Sequence, residues 1–136
     1  MSFRFWDVFY VDATTRETLS SGLTALAKAA NVGTTPEEGL GWLVSKEERW
    51  LLVLNNADDP ALNLHEFFPA CAHGDILVTT RNQQMVAHAT EPDSDCRVGG
   101  MKPEDALQLL PKSSRADSSE ETVGIAKKLV EACNPI

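Results

Sequence analysis

Asn55 and Asn56 stand where the apolar run Trp50-Leu51-Leu52-Val53-Leu54 breaks into amides and acids, with Ala57-Asp58-Asp59 directly behind. At the end of a buried strand in a phosphate-handling α/β protein, an acid at this position helps hold the magnesium ion that bridges the phosphates. An amide keeps the oxygen and loses the charge, whereas magnesium prefers carboxylate and phosphate oxygens in strict octahedral geometry. As a metal ligand, Asn55 is therefore expected to position the ion weakly and to depress hydrolysis more than binding. Arg81 follows Thr79-Thr80 at the exit of a second apolar run. A planar cation with several donors suits contact with a terminal phosphate there. Both features have plainer readings: an ordinary Asx turn for Asn55-Asn56, which local pattern alone favours, and a surface salt bridge for Arg81. Asp58 and Asp59 could add a carboxylate near a metal, but Asp59-Pro60 reads as a turn initiator.

Cys71-Ala72-His73, with His65 and His88 as helpers, invites a metal or thiol-nucleophile reading. No C-x-x-C pair supports it, and lone cysteines are usually small buried hydrophobes. An independent Cys/His hydrolase, which would lose its activity on Cys71→Ala, is the least supported class. Phe67, Phe68, Trp42 and Trp50 read as core residues rather than as a stacking platform. The sequence contains no G-x-x-x-x-G-K-[ST] loop, so the backbone cradle for phosphates is missing.

Positioning such groups requires regular elements, and 136 residues with 43% hydrophobic content suffice for one ordinary domain with a core. Val8 to Val11 reads as a strand that empties through Asp12-Ala13-Thr14 into a helix. Thr14 and Glu17 have capping-box spacing; Leu19, Leu23, Leu26, Ala27 and Ala30 form one stripe, and Gly33 is placed for a left-handed C-cap. Thr35-Pro36-Glu37-Glu38 starts a second helix with Leu40, Leu43 and Val44 beside Trp42. Trp50 to Leu54 is too uniformly apolar for a wet face, which predicts a sheet covered by helices on both sides. Leu62, Leu64, Phe67 and Phe68 suggest a short helix ending at Pro69. Gly74 then releases the strand Asp75 to Thr80, and Asn82 can cap a brief helix through Met85, Val86 and Ala87. Cys96-Arg97-Val98 reads as a weak fourth strand stopped by Gly99-Gly100. Pro103 opens a helix with Ala106, Leu107, Leu109 and Leu110 that Pro111 ends, and 112–119 is a polar linker. A last helix begins near Ser118, with Glu121 at capping distance, and is expected to bury Val123, Ala126, Leu129, Val130 and Cys133.

Strands alternating with helices indicate a parallel sheet in a layered α/β fold, and ligands of such sheets sit at the carboxyl ends of strands. Asp12, Asn55, Asn56 and Arg81 all fall at such ends.

Lys and Arg total 12 against 20 Asp and Glu, a formal net charge of -8, which argues against nucleic acid and anionic membranes as partners. Three widely spaced cysteines, the charge-interrupted opening Met1-Ser2-Phe3-Arg4, and Ser2 where myristoylation requires glycine point to a reducing, cytoplasmic setting without a lipid anchor. No apolar run approaches the roughly 18 residues of a membrane span.

In order and spacing, Val8-Phe9-Tyr10-Val11-Asp12-Ala13, then Trp50 to Pro60, then Gly74 to Asn82 resemble the NB-ARC nucleotide-binding domain of STAND-class signalling ATPases. The likeness is to the fungal type that carries tetratricopeptide repeats, and it runs from about Phe5 to about Ala132. The resemblance implies that Asn55 occupies the Walker B acid position and Asn56 that of a second acid or amide. Arg81 matches the sensor arginine after the Thr-Thr pair, with Thr80 beside the nucleotide. Val98-Gly99-Gly100-Met101 and the Glu104-Asp105-Ala106-Leu107 helix are similar to the passage into the helical subdomain. The implied fold is a three-layer parallel sheet of P-loop NTPase type, with residues 1–100 a partial nucleotide-binding core and 101–136 the start of the helical subdomain. The implied ligand is ADP or ATP with magnesium.

Two departures limit this expectation. The family's P-loop precedes the segment matched by Val8 to Ala13, and its Gly-Leu-Pro-Leu-type motif follows the segment matched by the last helix. A domain cut at both ends, lacking the strand in the middle of a sheet ordered five, one, four, three, two, would bind nucleotide weakly or not at all. It would also expose a parallel edge and an apolar face, unless Cys96–Val98 closed onto the Ile76–Thr80 strand. The alternative expectation is a nucleotide-independent interaction fragment that pairs through that edge with a full-length relative.

Overall fold

In the computed structural model, which describes residues 4–115 and 119–133, the first strand is β1 (Asp7–Asp12). It feeds α1 (Arg16–Ala29) and α2 (Pro36–Ser45), and the chain returns as β2 (Trp50–Asn55) and then β3 (Gly74–Val78). The three strands are parallel and lie in sequence order, with Val8 beside Leu51 and Leu51 beside Asp75. Short 3₁₀ helices, Leu64–Phe67 and Gln83–His88, follow β2 and β3. Residues 1–95 form one compact unit and residues 96–136 another, the latter containing α3 (Pro103–Ser114) and α4 (Glu120–Cys133).

The first unit is built on one well-covered sheet face. Val11, Leu52 and Leu54 pack with Leu19 and Leu23 of α1 and Leu43 of α2, and Trp50 is buried among them. Burying each such aliphatic side chain is worth about 1.5–3 kcal/mol. The indole Nε1–H of Trp50 donates to the Leu43 carbonyl at 2.9 Å, so its polar atom is satisfied inside the core. Two glycines permit the close approaches: a Cβ on Gly39 would strike the Leu23 carbonyl between α1 and α2, and one on Gly74 would strike the Trp50 ring.

Both helices of the first unit pack on that one face, so this unit's own elements do not supply the helices on both sides that the sequence predicts. Side chains alternate along a strand, so Val8 and Tyr10 share a face with Leu51, Val53 and Leu77. Val53 is buried, but Val8, Tyr10 and Leu77 are 60%, 71% and 50% exposed. The uniform apolarity of β2 reflects its central place between two strands. It says nothing of a second helical layer.

Helix boundaries differ from the sequence reading in instructive ways. Thr15, not Thr14, caps α1, and its capping box closes on Thr18 rather than Glu17; Thr14 instead donates its N–H and hydroxyl to the Asp12 carboxylate. The left-handed residue after α1 is Asn31, with φ 55°, and not Gly33. Its N–H bonds the Lys28 carbonyl, and that of Val32 bonds Ala27, which is the Schellman arrangement. Thr35 and Glu38 form the capping box of α2 as the sequence implies, and the Thr34 and Thr35 donors hold the Glu38 carboxyl below its ordinary range.

Cys96-Arg97-Val98 is not a strand, and Val98 is 92% exposed. Three residues flanked by acids and paired glycines bury too little to offset ordering. Pro111 does not end α3, which runs one turn further to a left-handed Arg115. Ser113 and Ser114 donate their hydroxyls to the Leu109 and Leu110 carbonyls, partners suited to the turn around the proline. The expected linker is correspondingly shorter. Ser118 lies outside the described residues; Ser119 accepts from the Thr122 N–H at the start of α4. Only Ala126 and Val130 of α4 are buried, while Val123, Leu129 and Cys133 are exposed. A stripe buried on one neighbouring helix is narrower than the apolar arc the sequence offers.

Candidate functional site

The carboxyl ends of β1, β2 and β3 bring the polar residues singled out in the sequence to one rim. Asp12 pairs in register with Asn55, and the Ala13 N–H donates to the Asn55 carbonyl at 2.7 Å. Beyond Leu54 and Val78 the ladder continues, because the Thr79 N–H donates to Leu54 and the Ala57 N–H to Thr79. This brings the Thr79 hydroxyl against Asn55: it donates to Asn55 Oδ1 at 2.8 Å and accepts the Asn56 N–H at 3.0 Å. Asn56 takes a left-handed backbone, φ 62°, which an asparagine tolerates better than most residues.

The second half of the rim is organised by Asp58. Its carboxylate accepts the Arg81 backbone N–H at 2.6 Å and the Arg81 Nε–H at 2.7 Å, with the Thr80 hydroxyl at 3.2 Å. Those bonds, the Arg81 backbone N–H foremost, hold the Asp58 carboxyl below the ordinary carboxylate range. The single Thr80 hydroxyl hydrogen lies between Asp58 and the nearer Ala57 carbonyl, at 2.7 Å, and its oxygen accepts the Asn82 N–H, so the hydroxyl is engaged within the loops. Asp59 behaves as the turn initiator its sequence implies, accepting the Ala61 N–H at 2.9 Å. On β1, the Thr14 hydroxyl and N–H lower the Asp12 carboxyl in the same way.

Asn55, Asn56, Thr80 and Arg81 are thus together at adjacent strand ends, and Asn55 Oδ1, the Asn56 N–H, the Thr80 hydroxyl and Arg81 Nε are already bonded to Thr79, Ala57 and Asp58. One lone pair of Asn55 Oδ1 is taken by Thr79, leaving a single uncharged oxygen lone pair for any metal. Arg81 faces Asp58 through Nε while its side chain is 92% exposed, so its two terminal nitrogens remain the outward donors of the rim. The arrangement can present a guanidinium, an amide and the Asp12 carboxylate to a ligand. Among the described residues no group of three His, Cys, Asp or Glu side chains is placed to hold a metal ion.

The roles of two participants escaped sequence reasoning. Thr79 became central because the parallel register sets it against Asn55, and register is not written in local pattern. Asp58 was weighed as a metal carboxylate and set aside as part of a turn; its partner proves to be Arg81. The Cys71-Ala72-His73 segment forms no such cluster. Cys71 packs against the core, and the His73 ring lies edge-on to Trp50 at 6.3 Å. No helix among the described residues is long and apolar enough to cross a membrane. No family model, curated protein or solved structure matches the chain.

Proposed function

We propose that this chain carries part of an ADP- or ATP-binding signalling switch of the NB-ARC, STAND-class type, in a form that binds adenine nucleotide with magnesium weakly or not at all and does not hydrolyse it. The observation that supports this reading is the rim at the ends of adjacent parallel strands, where Asn55, Asn56, Thr80 and Arg81 converge with their inward atoms already bonded. Parallel sheets bind ligands at such ends. A ligand arriving here must compete with the Asn55–Thr79 and Asp58–Arg81 contacts and finds no phosphate loop in this sequence.

The test is titration with ADP and magnesium, read by backbone amide shifts and by thermal melting. At millimolar ADP, the amides of Asn55, Asn56, Thr80 and Arg81 shift, Arg81→Ala removes the shift, and the melting temperature moves by less than about 1 °C, since stabilisation grows only as ligand exceeds its dissociation constant. No amide perturbation at about 10 mM ADP, roughly the weakest useful range, would remove residual binding and leave only the nucleotide-independent reading. A shift of several degrees would show a working site instead of a residual one.

A second reading rests on a separate observation, the exposed Val8, Tyr10 and Leu77 on one sheet face beside the open edge of β3. It makes the chain a nucleotide-independent interaction module. Co-purification with a full-length NB-ARC relative, unchanged by ADP and lost on Tyr10→Lys, supports it; dependence on ADP or indifference to Tyr10→Lys removes it.

A further inference from the structure

The two 3₁₀ helices that follow β2 and β3 meet through histidines. His65 of Leu64–Phe67 and His88 of Gln83–His88 have ring centroids 4.5 Å apart at an interplanar angle of 54°. Phe68 stands edge-on to both, at 5.4 Å from His65 and 6.3 Å from His88. His88 Nδ1 is buried without a hydrogen-bond partner. A neutral imidazole can leave that nitrogen as an unprotonated lone pair, whereas imidazolium must place an N–H there with nothing to accept it. A second imidazolium on His65 would add like-charge repulsion at close range.

The surrounding charges do not relieve this. Glu66, the carboxylate next to His65, is bound by Arg16 at the start of α1, 2.6 Å away, and also accepts from Asn63. Arg16 itself lies over the Phe67 ring. The 3₁₀ helix that ends at His88 brings only Gln83, Gln84, Met85, Val86 and Ala87, none of them charged. Asp58 and Arg81, on the same two loops, are engaged with each other.

We propose that His65 and His88 form a proton-sensitive clasp between the loop after β2 and the loop after β3, closed while both rings are neutral and opened by acid. Burial first, and then the neighbouring His65, hold His88 below the ordinary histidine value of 6.5. A group depressed in this way takes up its proton more readily in the unfolded or opened state. Stability is therefore unaffected well above the ordinary value and falls as pH drops below it. Because the clasped loops carry Asp58 and Arg81, its opening loosens the rim of the candidate site.

The experiment is a double-mutant cycle by thermal melting at pH 7.5 and 5.5 on the whole chain, with His65→Gln, His88→Phe, the double variant, and His73→Phe as control. The wild-type melting temperature falls on acidification by roughly 2–4 °C more than that of either single variant, and the double variant gains nothing over the singles. Since His65 is exposed, His65→Gln tests the clasp even if His88→Phe folds poorly; in His65→Gln the His88 ring resonances titrate closer to the ordinary value. The clasp is overturned if His88 titrates unchanged in His65→Gln, if the single variants retain the full acid loss, or if His73→Phe alone removes it.

Discussion

Asp58 ties the loop after β2 to the loop after β3 through the Arg81 backbone and side chain together. Its carboxyl is held below the ordinary value of 3.8, so the contact contributes above that value and is lost as pH falls through the lower, folded-state value. In melts taken from pH 5 down to pH 2, a span of roughly three units chosen to cross it, the wild type loses this contribution while Asp58→Asn gives a flatter profile. The two curves converge at the acid end; parallel curves would show that Asp58 contributes no linkage. Arg81 had two readings in the sequence, phosphate contact or salt bridge, and its Nε is in a salt bridge. That does not remove it from ligand contact, because its side chain stays 92% exposed while Nε holds Asp58. The sequence could name Asn55 and Arg81 through their place after apolar runs, but not their partners Thr79 and Asp58. A strand's partner atoms depend on register, which tertiary packing sets.

The helices show a similar division. Thr35-Pro36-Glu37-Glu38 announced α2 correctly because every donor in its capping box is local. At α1, two threonines compete to cap. Thr14 is drawn to Asp12, leaving Thr15 to cap the helix, a one-residue shift decided by a side chain outside the helix. Pro111 misled for a different reason: it was read as a stop, whereas α3 tolerates it one turn before its end. An interior proline forfeits the N–H that would bond the carbonyl four residues back and crowds it, at a cost near 3 kcal/mol, partly offset by the stiffer unfolded chain. Pro111→Ala is accordingly expected to stabilise α3 by about 1–2 kcal/mol, read as a later urea midpoint by far-ultraviolet circular dichroism. A lower or unchanged midpoint would mean that the helix is adapted to its proline. The weak strand at Cys96–Val98 failed because apolar content alone does not supply a neighbour to pair with.

For the first unit, the parallel α/β architecture was legible: three strands in the expected places, joined by the expected helices and short turns. The second helical layer was not, since a central strand flanked on both sides is apolar whether or not the outer strands are covered. The exposed Val8, Tyr10 and Leu77 have a measurable consequence. Replacing Val8 and Tyr10 with lysine lowers concentration-dependent light scattering and changes folding stability by no more than about 0.5 kcal/mol per site. A large loss of stability would show that these side chains are packed in solution.

The consecutive order of the strands can also be expressed as loop-closure entropy. Pairing β1 with β2 joins residues such as Asp7 and Trp50, whereas pairing β2 with β3 joins Trp50 and Gly74, a closed segment little more than half as long. Closure entropy rises only logarithmically, so the longer connection costs about 0.5 kcal/mol more than the shorter one. Leu19, Leu23 and Leu43, fully buried on the two helices within that longer connection, each contribute about 1.5–3 kcal/mol. The closure penalty of the longer crossover is thus small beside the burial its two helices supply, and that burial is what must offset the cost of ordering them.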